Sequence, residues 1–290
     1  EAAEMVELVT VCPEVEIGLG VPRAPIRVLK ISNDYVLYQP ETKRDLTKEM
    51  TEYCKNFVEK TTEIDGFILK NRSPSCGVGD VKIYSDYSET LLPKRESGFF
   101  GRIVRDNFHS SVVEDEGRLR NLKIREDFLI KLFAFANFRK VRNEKNMGSL
   151  VEYHSHHKLL FQAYNQYRYR LCGKIVGNLE KLSIEQVLSD YEKELSKLLS
   201  GHIKIGSMIN SLQHAFGGVS EDLKVEERKY FLDSLDEYRD ERIALSVITH
   251  LLMSYAVRFE KEYLAKQVLL NPFPLELTTA SRTGRDSNIS

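Results

Sequence analysis

Two short segments hold the residue types from which chemistry is built. In "KNRSPSCGVGD", residues 70–80, the apolar run "GFILK" gives way to two serines, a cysteine, a proline and two glycines. Glycine and proline set the backbone of such a loop, while serine and cysteine are nucleophile and ligand types. In "VTVCPE", Cys12 stands two residues before Glu14. Each segment therefore sets a cysteine beside groups that handle protons: Glu14 in one, Ser73 and Ser75 in the other. A thiolate there is a nucleophile or a soft ligand suited to zinc or an iron–sulfur cluster. Zinc spacing is absent, since neither CxxC nor HxxxH lies near Cys12 or Cys76. Cys54 shares a helical phase with Met50, Phe57 and Val58, and Cys172 lies in "YRLCGKIVG", so both read as core thiols.

The surrounding pattern says how these segments are held. "MVELVTVCPE" (5–14) reads as a buried strand ending at Cys12, followed by a Gly/Pro loop over 18–28. "RVLKISNDYVLYQPET" reads as a short hairpin or edge. Residues 47–63 have helical periodicity, with Asp45 or Thr47 as the cap. "IDGFILKNRSPSCG" is again a strand and loop, "GFFGRIVRDNF" a helix, and "HSSVVEDEGRL" a strand with an acidic end. Strands separated by helices predict an α/β domain with a parallel sheet and flanking helices, its first strand apparently missing. Ligands of such sheets sit at the carboxyl ends of strands, where Cys12 and Cys76 would converge.

Beyond residue 121 the β pattern stops. A long helix is expected over 125–142, then helices over 149–179, 183–199, 202–216, 225–237 and 240–267. The chain thus divides into an α/β domain (1–121), a connecting helix and linker (122–148), an all-α domain (149–279) and a polar tail (280–290) expected to fray. The 290 residues are 42% hydrophobic and 29% charged, an ordinary globular composition. No membrane span or signal peptide is read, and four sparse cysteines suit a reducing cytoplasm. The formal net charge of −1 hides an asymmetry: residues 122–182 hold 12 basic and 5 acidic residues. That belt points to a polyanionic partner.

"VCPEVEIGLGVPRAPIRV" and "FILKNRSPSCGVGDVKIY" resemble the signature segments of the TudS-type thiouracil desulfidase family. The chain from "LVEYHSHHK" to "YLAKQVLLNPFPLEL" resembles the helical domain of YbgA-like proteins, a fusion found in the RudS-type tRNA 4-thiouridine desulfidases. The resemblance implies a [4Fe–4S] cluster on three cysteines. Cys12 and Cys76 would be two of them, and the third is expected upstream of Glu1. It also implies an acid/base pair, by position Glu14 and Ser73, with Ser75 the other serine of the segment. The implied reaction replaces a thiocarbonyl sulfur with oxygen and releases sulfide without net electron transfer. Asn71 stands where the family more often has serine.

"VEYHSHHKLLFQAYNQYRYRLCGK" interleaves Tyr153, Tyr164, Tyr167 and Tyr169 with Lys158, Arg168, Arg170 and Lys174. Cations bind phosphates and aromatics stack on unpaired bases, so this stretch reads as an RNA surface, which the resemblance implies is a tRNA handle. His154 and His157 share a helical face, yet no acidic pair or second His motif supports a metal there. Two alternatives stay open: a desulfidase of free 2- or 4-thiouracil whose helical domain serves oligomerisation, and a non-catalytic RNA-binding protein.

Overall fold

The computed structural model describes residues 5–61, 63–87 and 90–277, which form two compact units, one of Glu7–Phe135 and one built mainly of residues 136–277. Strands β1 (Arg27–Ile31), β2 (Asp34–Gln39), β3 (Arg44–Asp45), β4 (Gly66–Leu69), β5 (Val81–Ser85), β6 (Leu91–Glu96) and β7 (Val112–Asp115) all lie in the first unit. With them lie helices α1 (Pro13–Glu16), α2 (Thr47–Lys60) and α3 (Phe99–Asn107).

The expected α/β class holds, but the main sheet is mixed rather than parallel. Its order is β3-β2-β1-β5-β6, in which only β1 and β5 run parallel. The reason is the short connection between β1 and β2: Ile31 pairs with Asp34, leaving two residues to turn the chain, and so short a link joins only antiparallel neighbours. Ser32 takes the left-handed conformation there (φ 54°). A separate parallel pair, β4 and β7, carries the loop of the second cysteine segment at the end of β4.

The buried strand expected over residues 5–14 does not form. Among the described residues no strand pairs with it, and Leu8 and Val9 are each 70% exposed. Cys12 instead begins α1. Its carbonyl accepts from the N–H groups of Val15 and Glu16, and Pro13 takes the first helical position, where a missing N–H costs nothing.

The core of this unit joins Val28, Leu37, Val81 and Ile83 of the main sheet to Phe67 and Leu69 of β4. Met50 and Cys54 of α2 and Phe100 and Val104 of α3 complete it, so Cys54 is a core thiol as its phase required. Asp45 Oδ1 accepts from Thr47 N (2.9 Å) at the start of α2, while the Thr47 hydroxyl accepts from Leu37 N.

Helix α4 (Leu122–Glu144) begins in the first unit and ends in the second. The second unit continues with α5 (Met147–His156), α6 (Lys158–Gly177), α7 (Ile184–Leu199), α8 (Ile205–Gly217), α9 (Val225–Arg239), α10 (Leu245–Arg258) and α11 (Glu262–Ala265). It is all-α. The single helix expected over 149–179 is two, divided at His157, and the second is kinked at Asn165 (φ −162°, ψ 101°). The helix expected over 240–267 is broken into α10 and the short α11, with Glu241 left-handed before α10 and Glu260 left-handed between the two (φ 58° and 52°). Leu150, Leu160, Phe161, Tyr191, Leu195, Leu212, Phe231 and Leu252 fill its core. The tail over 280–290 lies outside the described residues.

Candidate active site

The two cysteine segments meet. Glu14, on the first turn of α1, receives the Ser75 hydroxyl at Oε1 (2.6 Å) and the Ser73 hydroxyl more distantly (3.4 Å). The two serine oxygens are 2.9 Å apart, and Ser75 Oγ stands 3.7 Å from Cys76 Sγ. On the other side Arg23 donates from Nε to Glu14 Oε2 (2.6 Å) and from Nη2 to Cys12 Sγ (3.4 Å). One polar chain therefore links the two sulfurs through Arg23, Glu14 and Ser75.

The loop of residues 73–77 is held from two sides. Ser73 Oγ accepts from Cys76 N (3.1 Å), closing the turn on itself, and Gly77 N donates to the Ser73 carbonyl (2.9 Å). The N-terminal turn of α3 then takes the loop's carbonyls: Gly98 N donates to Gly77 O, Phe99 N to Pro74 O and Gly101 N to Ser75 O. Gly98 and Gly101 permit this approach, since a Cβ at either would lie 2.4 Å from Ser75 O or 2.5 Å from Gly77 O. Asp80 accepts from Arg72 N with both oxygens, and Arg72 is left-handed (φ 56°).

Exposure separates the four cysteines. Cys12 and Cys76 are half-buried, whereas Cys54 and Cys172 are buried. Burial pushes the Cys54 and Cys172 thiols up to about 12. Burial also pushes the Cys76 thiol up, against the hydrogen bonds of Ser75 and Ser73 and with the charges of Glu14 and Cys12. Ser75 is buried at 1% exposure, while Ser73 stays partly open. Ser73 is thus the more open of the two serines and Ser75 the more enclosed. Arg23 escaped the sequence reading because it lies among the Gly and Pro residues that shape its loop; the signal was a lone cation in an otherwise uncharged "GLGVPRAP".

As donors toward an iron–sulfur group, Cys12 and Cys76 are of the right kind, two soft sulfurs joined in one polar site. Among the described residues no group of three or more His, Cys, Asp and Glu forms around them.

Two family models match separate parts of the chain. Residues 1–116 match the family described as 2-thiouracil desulfurase, and residues 158–274 match a protein family of unknown function, DUF1722. The two matched regions follow one another along the chain without overlapping. The uncharacterized protein YbgA of Escherichia coli (strain K12) is 27% identical over 113 residues, covering 38% of this chain and 67% of its own length. A solved [4Fe-4S]-dependent thiouracil desulfidase, TudS, is 25% identical, covers 40% of this chain and 72% of its own, and superposes with a TM-score of 0.30.

In the DUF1722 region the four expected cations differ. Arg170 and Lys174 are exposed and Lys158 is half-buried. Arg168 is ion-paired to the buried Glu194 (2.6 Å) and lies over the Tyr167 ring. Tyr153 is a core residue at 5% exposure, and Tyr169 stacks on His154, which leaves Tyr167, 65% exposed, as an open aromatic of this stretch. His154 Nδ1 bonds the Tyr191 hydroxyl and His157 Nδ1 the Tyr153 carbonyl, so both histidines serve the packing. No helix among the described residues is long and apolar enough to cross a membrane.

Proposed function

We propose that the chain is a desulfidase acting on 4-thiouridine in tRNA, with Glu14 and Ser73 as its catalytic residues and Cys12 and Cys76 holding a [4Fe–4S] cluster. The observation that carries this reading is the convergence of both cysteine segments on Glu14. The family match supports the reaction class. Two half-buried soft sulfurs joined through one polar chain support the cofactor.

When bound, such a cluster supplies an open iron position, a soft Lewis acid toward a thiocarbonyl sulfur. The chain's own groups move the protons. Glu14 Oε1 takes a proton from the water that becomes the carbonyl oxygen. Ser75, between Glu14 Oε1 and Ser73 Oγ, passes protons toward the half-open Ser73, which faces the departing sulfur. One water is consumed, the C=S bond becomes C=O, and sulfur leaves as hydrogen sulfide with no electron gained or lost.

The tRNA part of the reading draws on the exposed Arg170 and Lys174, with Tyr167 on the same helix, α6. A base within folded RNA must be turned out of its stack at a cost of a few kcal/mol, which backbone contacts offset. The reading of the chain as a free-thiouracil enzyme is favoured by the family's description. Sulfide release from 2-thiouracil, 4-thiouracil and thiolated tRNA by anaerobically reconstituted protein separates the two. Release from tRNA at low concentration supports the proposal; release from free bases alone contradicts its substrate.

A further inference from the structure

We propose that Arg23 is the positioning residue of this site: its guanidinium assigns the two oxygens of Glu14 to different partners and ties that carboxylate to the Cys12 sulfur. What Glu14 does rests on the desulfidase reading; what Arg23 does rests on its contacts.

Arg23 spends three nitrogens on three partners. Nε holds Glu14 Oε2 at 2.6 Å, Nη2 approaches Cys12 Sγ at 3.4 Å, and Nη1 donates to the Gly20 carbonyl at 2.9 Å. The last bond anchors the head to its own loop, where Gly18 and Gly20 take positive φ (84° and 67°) that a side chain would resist. With Oε2 taken, Oε1 is the oxygen left for the Ser75 and Ser73 hydroxyls. The terminal torsion of a glutamate is broad and nearly two-fold, so an unclamped carboxylate exchanges its oxygens freely. A planar guanidinium fixes that plane, which a lysine cannot, because an ammonium is a point donor.

The second consequence is charge. The same guanidinium donates to the Glu14 carboxylate and to the Cys12 sulfur. The two side chains of the ion pair are only 24% and 14% exposed, so water screens the guanidinium poorly. One cation thus keeps the proton-handling group in register with the Cys12 sulfur.

The test uses the full chain as wild type, Arg23→Lys, Arg23→Gln, Glu14→Gln and the Arg23→Gln/Glu14→Gln double variant. Three quantities are read: iron per chain after anaerobic reconstitution, the Glu14–Ser75 separation in crystals of the Arg23 variants, and kcat and KM for sulfide release. Both Arg23 variants are expected to take up iron as the wild type does, and to show neither Glu14 carboxylate oxygen within hydrogen-bonding reach of Ser75 Oγ. Their kcat should fall roughly 10- to 100-fold, the cost of a misplaced group, with KM within about twofold. The double variant should be no slower than Glu14→Gln alone, because Arg23 acts through Glu14. Arg23→Lys keeps charge and bulk should Arg23→Gln fail to fold. The proposal is overturned if Arg23→Lys keeps the 2.6 Å serine contact or the wild-type kcat, if iron is lost, or if the double variant is slower than either single one. Should the wild type release no sulfide from any thiopyrimidine, the desulfidase reading falls, while the crystallographic separation still decides the role of Arg23.

Discussion

Ser75 Oγ donates to Glu14 Oε1 across 2.6 Å, although 61 residues separate them in the chain. This bond joins the two cysteine segments into one site, and Ser73 extends it outward by a further hydroxyl contact of 2.9 Å. Replacing Glu14 by Gln removes the base and should lower kcat by about 10²–10⁴-fold. Ser73→Ala and Ser75→Ala should each slow turnover, and all three variants should bind iron normally. Full turnover in Ser75→Ala would remove the relay and leave Ser73 to act directly with Glu14.

The closeness of α3 to the loop gives a second expectation. Gly101→Ala puts a methyl group 2.5 Å from Gly77 O and 2.7 Å from Cys76 O, both backbone atoms. Overpacking of this kind costs about 1–3 kcal/mol. Thermal unfolding should show the loss, together with reduced iron uptake as Cys76 is displaced. Gly206→Ala, with open space around it, is the control and should leave both quantities unchanged. Equal behaviour of the two variants would show that the loop yields.

His154 and His157 make the helical unit sensitive to acid. Burial pulls both imidazoles down to about 4 from an ordinary value of 6.5. The unfolded chain therefore binds more protons between those values, and stability falls as pH drops from 6.5 toward 4. His157, 3% exposed, accounts for up to ~3 kcal/mol of this. Urea unfolding followed across that window should show the midpoint dropping with acid, and His157→Phe should flatten the dependence. An unchanged slope in that variant would contradict the assignment.

Reversing the charge of Arg170 and Lys174 tests the tRNA reading. For every phosphate interaction removed, the salt dependence of tRNA binding should weaken by roughly 0.7–0.9 in log–log slope, leaving turnover of free thiouracil intact. Arg168 is omitted because its reversal would set a like charge against the buried Glu194 and confound stability with binding. Unchanged affinity and slope would favour the free-base enzyme.

Much of this architecture could be read from residue patterns, and the exceptions share a physical cause. Local signals located α2, α3, β4 and β7, because caps, helical phase and turn residues act within a few positions. The Cys54 phase was equally plain. Strand pairing is non-local, which is why "MVELVTVCPE" looked like a buried strand while Leu8 and Val9 are exposed. The division at His157 also followed tertiary demand, since its ring closes on the Tyr153 carbonyl inside the core. At the site, Cys12, Glu14, Ser73 and Cys76 were marked by type and by family resemblance. Arg23 was not: its one signal, a lone cation in an uncharged Gly/Pro loop, names no partner until the fold sets it against Glu14.

The central claim is that this site hydrolyses a C=S bond. The most direct measurement is the mass of the product formed from a thiopyrimidine substrate in ¹⁸O-labelled water by anaerobically reconstituted protein, with Cys12→Ala and Cys76→Ala alongside. One labelled oxygen per product molecule is expected, with one sulfide released for each, and neither with either cysteine variant. Product without label, or labelled product in equal amount from Cys12→Ala and Cys76→Ala, would contradict it.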